Sequence, residues 1–233
     1  MGRALATRLE AHPSLVLGAA WERPGIGAWP EHAPADGLDV VVDFTAPAAL
    51  GGHLALCLER GLPLVVGTTG LRPEDHAAID AAARQIPVLQ AANTSVGVNT
   101  LLELVRRAAL LVGAGFDLEI VEAHHRGKRD APSGTALALL AALQEARPGA
   151  QGVFARHGDI GARTAEEIGV QTLRGGDVVG EHTVFMYGAG ERLELSHRAT
   201  DRGIFADGAL RAAEWLVGRP AGRYRMSDVL AGG

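Results

Sequence analysis

The chain has 233 residues, is 47% hydrophobic and carries a formal net charge of −5, enough material for one large or two modest domains and too acidic to bind nucleic acid by charge. No apolar run approaches the ~18 residues that span a bilayer and the start lacks a signal-peptide pattern, so the sequence reads as cytoplasmic with no membrane partner. The lone Cys57 cannot form an internal disulfide, fits a reducing compartment and, in a helical pattern with Leu54 and Leu58, reads as a small core residue.

Residues 2–11 are expected to form a helix with Leu5 and Leu9 on one face, followed by a strand from Leu15 to Ala20 that ends in Trp21-Glu22-Arg23. After a Pro/Gly-rich loop from Pro24 to Gly37, the apolar run Leu38 to Phe44 has the pattern of a buried parallel strand. A helix from Ala46 to Arg60, C-capped by Gly61, leads to a strand from Leu62 to Val66; Gly67-Thr68-Thr69-Gly70 makes a tight loop, Pro73-Glu74-Asp75 opens another helix, and Ile86 to Leu89 form the next strand. This alternation predicts an α/β fold with a doubly wound, Rossmann-like parallel sheet. Such a fold needs a first strand and a glycine-rich turn, yet Met1-Gly2-Arg3 opens directly onto a helix, so both are missing and the chain reads as though it begins inside the turn. Glu22 nevertheless sits about 20 residues after Gly2, where an acid that hydrogen-bonds a ribose belongs; the competing reading is a solvated strand-end acid.

From Ser95 the character changes. A helix over 99–112 precedes a strand from Phe116 to Ala123, which spills into His124-His125-Arg126-Gly127-Lys128-Arg129-Asp130 and then, at Pro132-Ser133-Gly134-Thr135, enters a helix running to Ala146. Two imidazoles and three permanent cations thus meet a helix N-terminus that already favours anions, a setting for a carboxylate-bearing substrate and for proton transfer. The alternatives are a solvated charge run and an ordinary strand-end histidine. After Pro148-Gly149, the strands Glu167 to Leu173, Val178 to Tyr187 and Arg192 to Ala199, joined by Arg174-Gly175-Gly176-Asp177 and Gly188-Ala189-Gly190, are expected to pair antiparallel. A helix from Phe205 to Val217 returns to the first domain. The division is therefore 1–95 with 202–233 as a dinucleotide-binding domain, and 96–201 as an α+β substrate-binding and oligomerisation domain with an open mixed or antiparallel sheet. The apolar positions Val170, Leu173, Val178, Val179, Val184, Phe185, Leu193 and Leu195 exceed what one local helix could cover, which points to a partner subunit.

The chain resembles the dihydrodipicolinate reductases over nearly its whole length. The resemblance rests on Glu122-Ala-His-His-Arg-Gly-Lys-Arg-Asp-Ala-Pro-Ser-Gly-Thr135, Val42-Asp-Phe-Thr45, Val66-Gly-Thr-Thr-Gly70, Ala91-Ala-Asn-Thr-Ser-Val-Gly-Val-Asn99 and Gly175-Gly-Asp-Val-Val-Gly-Glu-His-Thr183. It implies reduction of 4-hydroxy-tetrahydrodipicolinate by NADPH or NADH in lysine and diaminopimelate synthesis, by a homotetramer that requires no metal. His124 is then the proton donor or acceptor and Lys128 the proton donor, while His125, Gly134 and Thr135, with Ser133 helping, hold the carboxylates of a small dicarboxylate substrate. Gly67, Thr68, Thr69, Ala91, Ala92, Asn93 and Thr94 are the cofactor-facing loops, Glu22 is the ribose acid, Arg23 a partner for a 2′-phosphate, and Arg202 and Phe205 match positions near the cofactor.

Two departures stand out: Gly127 replaces a basic residue found in some members, and the missing first strand puts cofactor binding by this chain in question. A truncated or misassigned start is the expectation, because losing a central strand leaves unpaired backbone groups; the expected outcome is a tetramer that binds no NADPH. The rival readings are a non-enzymatic ligand sensor, which would lose the acid pair, and another NAD(P)-dependent amino-acid dehydrogenase on the same fold.

Overall fold

The computed structural model describes residues 1–20 and 37–232, which divide into two compact units, Met1–Val96 with Gly203–Gly233 and Gly97–Arg202. Glu22, Arg23 and the Pro24-to-Gly37 loop lie largely outside the described residues.

The first unit begins with helix α1 (Gly2–Leu9) and continues through β1 (Val41–Asp43), α2 (Pro47–Arg60), β2 (Leu64–Val66), α3 (Pro73–Ala82) and β3 (Pro87–Gln90); after the second unit it is completed by α6 (Gly203–Leu216), β9 (Gly222–Tyr224) and α7 (Met226–Ala231). All four strands run parallel in the order β1-β2-β3-β9. Proline at the first turn of α2 and of α3 suits positions whose N–H groups would go unbonded anyway. Gly61 stops α2 in the left-handed conformation, φ 65°. Leu64, Val65 and Val66 are fully buried because helices cover both faces: α2 and α3 pack with Leu64 and Val66, while α6 and α7 pack with Val65 and Leu89. Cys57 lies in the first of these cores, where burial pushes its thiol up to about 12, so it behaves as an inert apolar residue.

The expected strand over Leu15–Ala20 does not form. These residues belong to no sheet ladder among the described residues, and Val16 and Leu17 are 88% and 52% exposed. They run instead along a cavity of about 280 Å³ shared with α1, the residues leading into β1, and Leu210 of α6. An apolar run becomes a strand only where an edge accepts its backbone groups, and here the cavity borders β1.

The second unit holds α4 (Val96–Val112), β4 (Asp117–His124), α5 (Gly134–Ala146), β5 (Gln151–Val153), β6 (Glu167–Arg174), β7 (Gly180–Gly188) and β8 (Glu191–Ala199). Its sheet order is β5-β6-β4-β7-β8, with β4 parallel to β6 and antiparallel to β7. The expected antiparallel pairing of β6 with β7 is therefore wrong, although β7 and β8 do pair so. Strand β4 takes the place between them, and the backbone of the Arg174-to-Val178 connection bonds to the cationic loop instead: Gly175 N–H donates to His124 O (3.0 Å) and His125 N–H to Val178 O (2.7 Å). The apolar face of this sheet is covered within the unit. Leu101, Val105 and Ala109 of α4 and Leu139, Leu140 and Leu143 of α5 close over Leu118, Ile120, Ile168, Val170, Val184 and Met186, so two helices cover the apolar face; Val170 and Val184 are fully buried, and Leu173 and Leu193 stay exposed.

Candidate active site

Alternation along β4 sends Leu118, Ile120 and Glu122 to the helix-covered face. Register places Glu122 opposite Thr172 of β6 and His182 of β7, with His124 opposite Arg174. The core face thus turns from aliphatic to polar at the end of the sheet where the cationic loop begins. Glu122 is completely buried. Its Oε2 lies 2.5 Å from His124 Nδ1 and accepts from one Arg174 nitrogen at 2.9 Å; its Oε1 accepts from the other at 2.9 Å, from Ser133 N–H at 3.0 Å and from the Thr172 hydroxyl at 3.2 Å. Burial alone would raise this carboxyl, but the paired Arg174 bonds, then His124 and the Ser133 amide, outweigh it and hold Glu122 at about 2.

Both histidines beside it are pushed the other way. Burial lowers His124 despite the Glu122 carboxylate, and Lys128 and Arg174 lower it further, so the ring is neutral at neutral pH. Burial and then the His124 charge bring His182 down to about 4, and the two rings meet edge to face at 5.2 Å. A Glu–His–His trio at this spacing is also a possible metal donor set, but both Glu122 oxygens already bind the Arg174 guanidinium, whose charge opposes a cation.

Ser133, expected to help with substrate, is only 2% exposed. It is the N-cap of α5: its Oγ accepts from Ala136 N–H at 3.2 Å and lies 3.0 Å from His182 Nε2. The first residues of α5, Gly134 exposed and Thr135 half-buried, carry the helix-start amides. Lys128 pairs with Asp130 at 2.9 Å and keeps a 21% exposed side chain, His124 one that is 11% exposed. The loop is fixed by its own Lys128 N–H to His125 O bond (3.1 Å) and by Arg126 N–H to Gly176 O (3.2 Å). Thus His124, Lys128, His125, Ser133, Gly134 and Thr135 all lie on the β4–α5 connection and its two ends. Glu122, Arg174, Thr172 and His182 had no role assigned from sequence, although Glu122 and His182 fall inside the quoted motifs.

In the first unit, Gly67, Thr68 and Thr69 follow the carboxyl end of β2, and Ala91 to Thr94 that of β3, where parallel sheets place ligands. Thr69 and Ala92 are exposed; Thr68 is buried and donates to Asp43 at 3.0 Å, bracing the loop. Thr45 also donates to Asp43, and His53 lies 3.2 Å from it; burial raises this carboxyl, but His53, Thr45 and Thr68 together keep it below the usual range. A Cβ on Gly67 would come within 2.3 Å of the Phe44 ring, so this close turn requires glycine. Thr94 donates its hydroxyl to Phe205 O at 2.6 Å, joining the second loop to the start of α6. Asn93 accepts from Ser95 N–H, and Arg202 is exposed. Both loops are braced by buried polar residues and expose Thr69 and Ala92; the residues expected at the adenosine ribose, Glu22 and Arg23, lie outside the described residues. No helix among the described residues is long and apolar enough to cross a membrane.

Residues 1–94 match the family described as dihydrodipicolinate reductase, N-terminus, and residues 97–230 its C-terminus. A 4-hydroxy-tetrahydrodipicolinate reductase of Anaeromyxobacter sp. (strain Fw109-5) is 50% identical over 250 residues, covering 99% of this chain and 93% of the relative. Those of Myxococcus xanthus (56% over 194 residues; 82% and 72%) and Acinetobacter baumannii (48% over 239 residues; 98% and 88%) are similar. Among solved structures, a dipicolinate-bound dihydrodipicolinate reductase from Paenisporosarcina sp. TG-14 superposes with a TM-score of 0.76 at 23% identity, over 96% of this chain and 92% of that one. A C. glutamicum DAP dehydrogenase shares the fold at a TM-score of 0.55 and 13% identity, over 96% and 89%. On this match of both halves and of full-length relatives, the chain belongs to the dihydrodipicolinate reductase family.

Proposed function

We propose that the second unit binds the substrate on the connection from β4 to α5, with His124 and Lys128 as its acid–base residues, and that the first unit binds the cofactor on the loops after β2 and β3. The reaction is that of the family: reduction of 4-hydroxy-tetrahydrodipicolinate to tetrahydrodipicolinate, in lysine and diaminopimelate biosynthesis. NADH or NADPH supplies the hydride. The 4-hydroxyl leaves as water to give a conjugated imine, hydride addition to that imine leaves an electron-rich enamine, and the chain's task is to deliver a proton to it.

Lys128 is the donor in this reading, a cation among cations at the loop. His124, neutral and with Nδ1 engaged by Glu122, accepts a hydrogen bond or proton at Nε2. His125 and the amides of Gly134 and Thr135 receive the carboxylates, aided by the positive end of α5. Ser133 acts on substrate through the helix start that it caps. In the first unit Gly67, Thr68, Thr69, Ala91, Ala92, Asn93, Thr94 and Phe205 line or brace the cofactor loops, while Glu22, Arg23 and Arg202 are assigned to the cofactor by the family resemblance alone. The single observation that carries the assignment is a histidine ring fixed at Nδ1 by a buried carboxylate, next to Lys128 and a capped helix N-terminus. Substrate-dependent oxidation of NADPH tests it: a chain that binds both dipicolinate and NADPH but oxidises no NADPH on adding substrate would be a sensor.

The protein is further proposed to be a homotetramer assembled through the second unit's sheet. The face turned away from α4 and α5 supports this. Phe185 and Tyr187 stack there at 5.8 Å, and Leu173 is exposed on the same face. Light scattering should give about four times the 24.2 kDa chain mass; a mass near one chain would refute it.

A further inference from the structure

Glu122 is buried, charged and remote in sequence from two of its partners, features that burial alone makes costly. Its bonds have a common outcome. One oxygen takes His124 Nδ1; the other takes the amide of Ser133, the residue that starts α5. Arg174, besides grasping both oxygens, donates to Asp130 O at 2.6 Å, inside the cationic loop. The carboxylate–guanidinium pair therefore touches the loop at its first residue, near its middle and at its last. On the far side of the histidine, a Cβ on Gly180 would come within 3.0 Å of His124 Nε2, so the ring is seated between the carboxylate and a residue with no side chain.

We infer that Glu122, backed by Arg174, is the positioning residue of the reductase: it holds His124 as the Nδ1–H tautomer, so that Nε2, on the side of the ring away from Glu122, is left as an acceptor. The inference rests on His124 being an acid–base residue. An ionised carboxylate cannot donate, so the shared proton must sit on Nδ1 of the neutral ring. The groups facing that ring are Glu122 from β4, Lys128 from the loop, Arg174 from β6 and His182 from β7. Of these, only Glu122 accepts at Nδ1. Replacing Glu122 by Gln keeps the shape and reverses the bond, because the amide oxygen stays with the three donors at the Oε1 position, Ser133 N–H, the Thr172 hydroxyl and one Arg174 nitrogen, while its NH2 faces Nδ1 and gives up the second Arg174 bond. His124 would then carry its hydrogen on Nε2.

The test compares Glu122→Gln, Arg174→Lys and His124→Ala, and each of the first two combined with His124→Ala, in the full chain. Expected in Glu122→Gln is a kcat at least ~10-fold lower, part of the 10²–10⁴ that positioned proton transfer supplies, with a smaller change in KM for substrate. Imidazole 15N NMR, which needs neither cofactor nor turnover, should show the His124 hydrogen move from Nδ1 to Nε2. In the His124→Ala background the further loss should vanish. Arg174→Lys, which loses the two-pronged grip, should broaden or shift the same His124 signals and serves should Glu122→Gln not fold. Multiplicative losses in the double variants, or an Nδ1–H signal unmoved in Glu122→Gln, overturn the inference. If His124→Ala itself leaves kcat intact while the tautomer shifts as expected, it is the catalytic reading of His124 that fails.

Discussion

His182 should give the second unit a pH-dependent stability that one substitution removes. The ring is 4% exposed, its Nε2 lies 3.0 Å from Ser133 Oγ, and its Nδ1 makes no hydrogen bond among the described residues. Burial, then the His124 charge, lowers it from 6.5 to about 4. As pH falls below the unfolded value, the unfolded chain takes up a proton that the folded chain refuses, so stability is full above that value and is lost down to the folded one. At pH 5 the interval is about 1.5 pH units, worth about 2 kcal/mol at 1.4 kcal/mol per unit. His182→Gln keeps a partner for Ser133 and does not titrate. Urea unfolding at pH 7 and pH 5, read by hydrogen exchange of β4 and β7 peptides, should show the native protein losing about 2 kcal/mol more than the variant. Equal losses would mean that His182 is as basic in the folded protein as in the unfolded one, and the account of a neutral buried ring would be wrong.

Further acidification should bring a second loss: Glu122, at about 2 instead of 4.5, contributes stability present above 4.5 and lost on falling through 2, about 3 kcal/mol in all, which Glu122→Gln would erase from an acid titration followed by circular dichroism. Lys128→Ala should lower kcat far more than it alters NADPH affinity, whereas His125→Ala should chiefly raise KM for substrate; an unchanged kcat in Lys128→Ala removes that lysine from the mechanism. Gly208→Ala gains up to ~1 kcal/mol in helix propensity, yet its Cβ would fall 1.8 Å from the Thr94 carbonyl oxygen. The expected result is a net loss of about 1–3 kcal/mol with weaker NADPH binding, and a raised melting temperature would refute it.

Much of this was legible in sequence because it depends on local signals. Apolar runs at Leu64–Val66 and Pro87–Gln90, prolines opening α2 and α3, and Gly61 closing α2 each act within a few residues. The cationic loop before Ser133 was legible for the same reason: strand, charges and cap are consecutive. Strands β5 (Gln-Gly-Val) and β9 (Gly-Arg-Tyr) are three residues each and lack the apolar run that marks Leu64–Val66, and α7 has only six residues. The order β6-β4-β7 was not legible, since hairpin chemistry at Gly175-Gly176 says nothing about a strand that intervenes from 50 positions earlier. The role of Glu122 had one readable trace. It follows Leu118 and Ile120 at spacing two, so β4 places an acid on its own apolar face, and a buried acid requires partners. Which partners those are depends on register.

That register is what gives the site its charge. Arg174 meets Glu122 only because β6 runs beside β4 with His124 opposite Arg174, and a slip of one residue would turn the guanidinium to the other face of the sheet. Without it, the carboxylate that orients His124 would be an uncompensated anion beside the proposed dicarboxylate site, and would repel the substrate. Paired with Arg174, Glu122 directs the imidazole while adding no net charge. Lys128, Arg126 and Arg129 then set the sign of the field at the start of α5. The sheet supplies orientation, the loop supplies attraction, and the two tasks are kept apart by one buried ion pair.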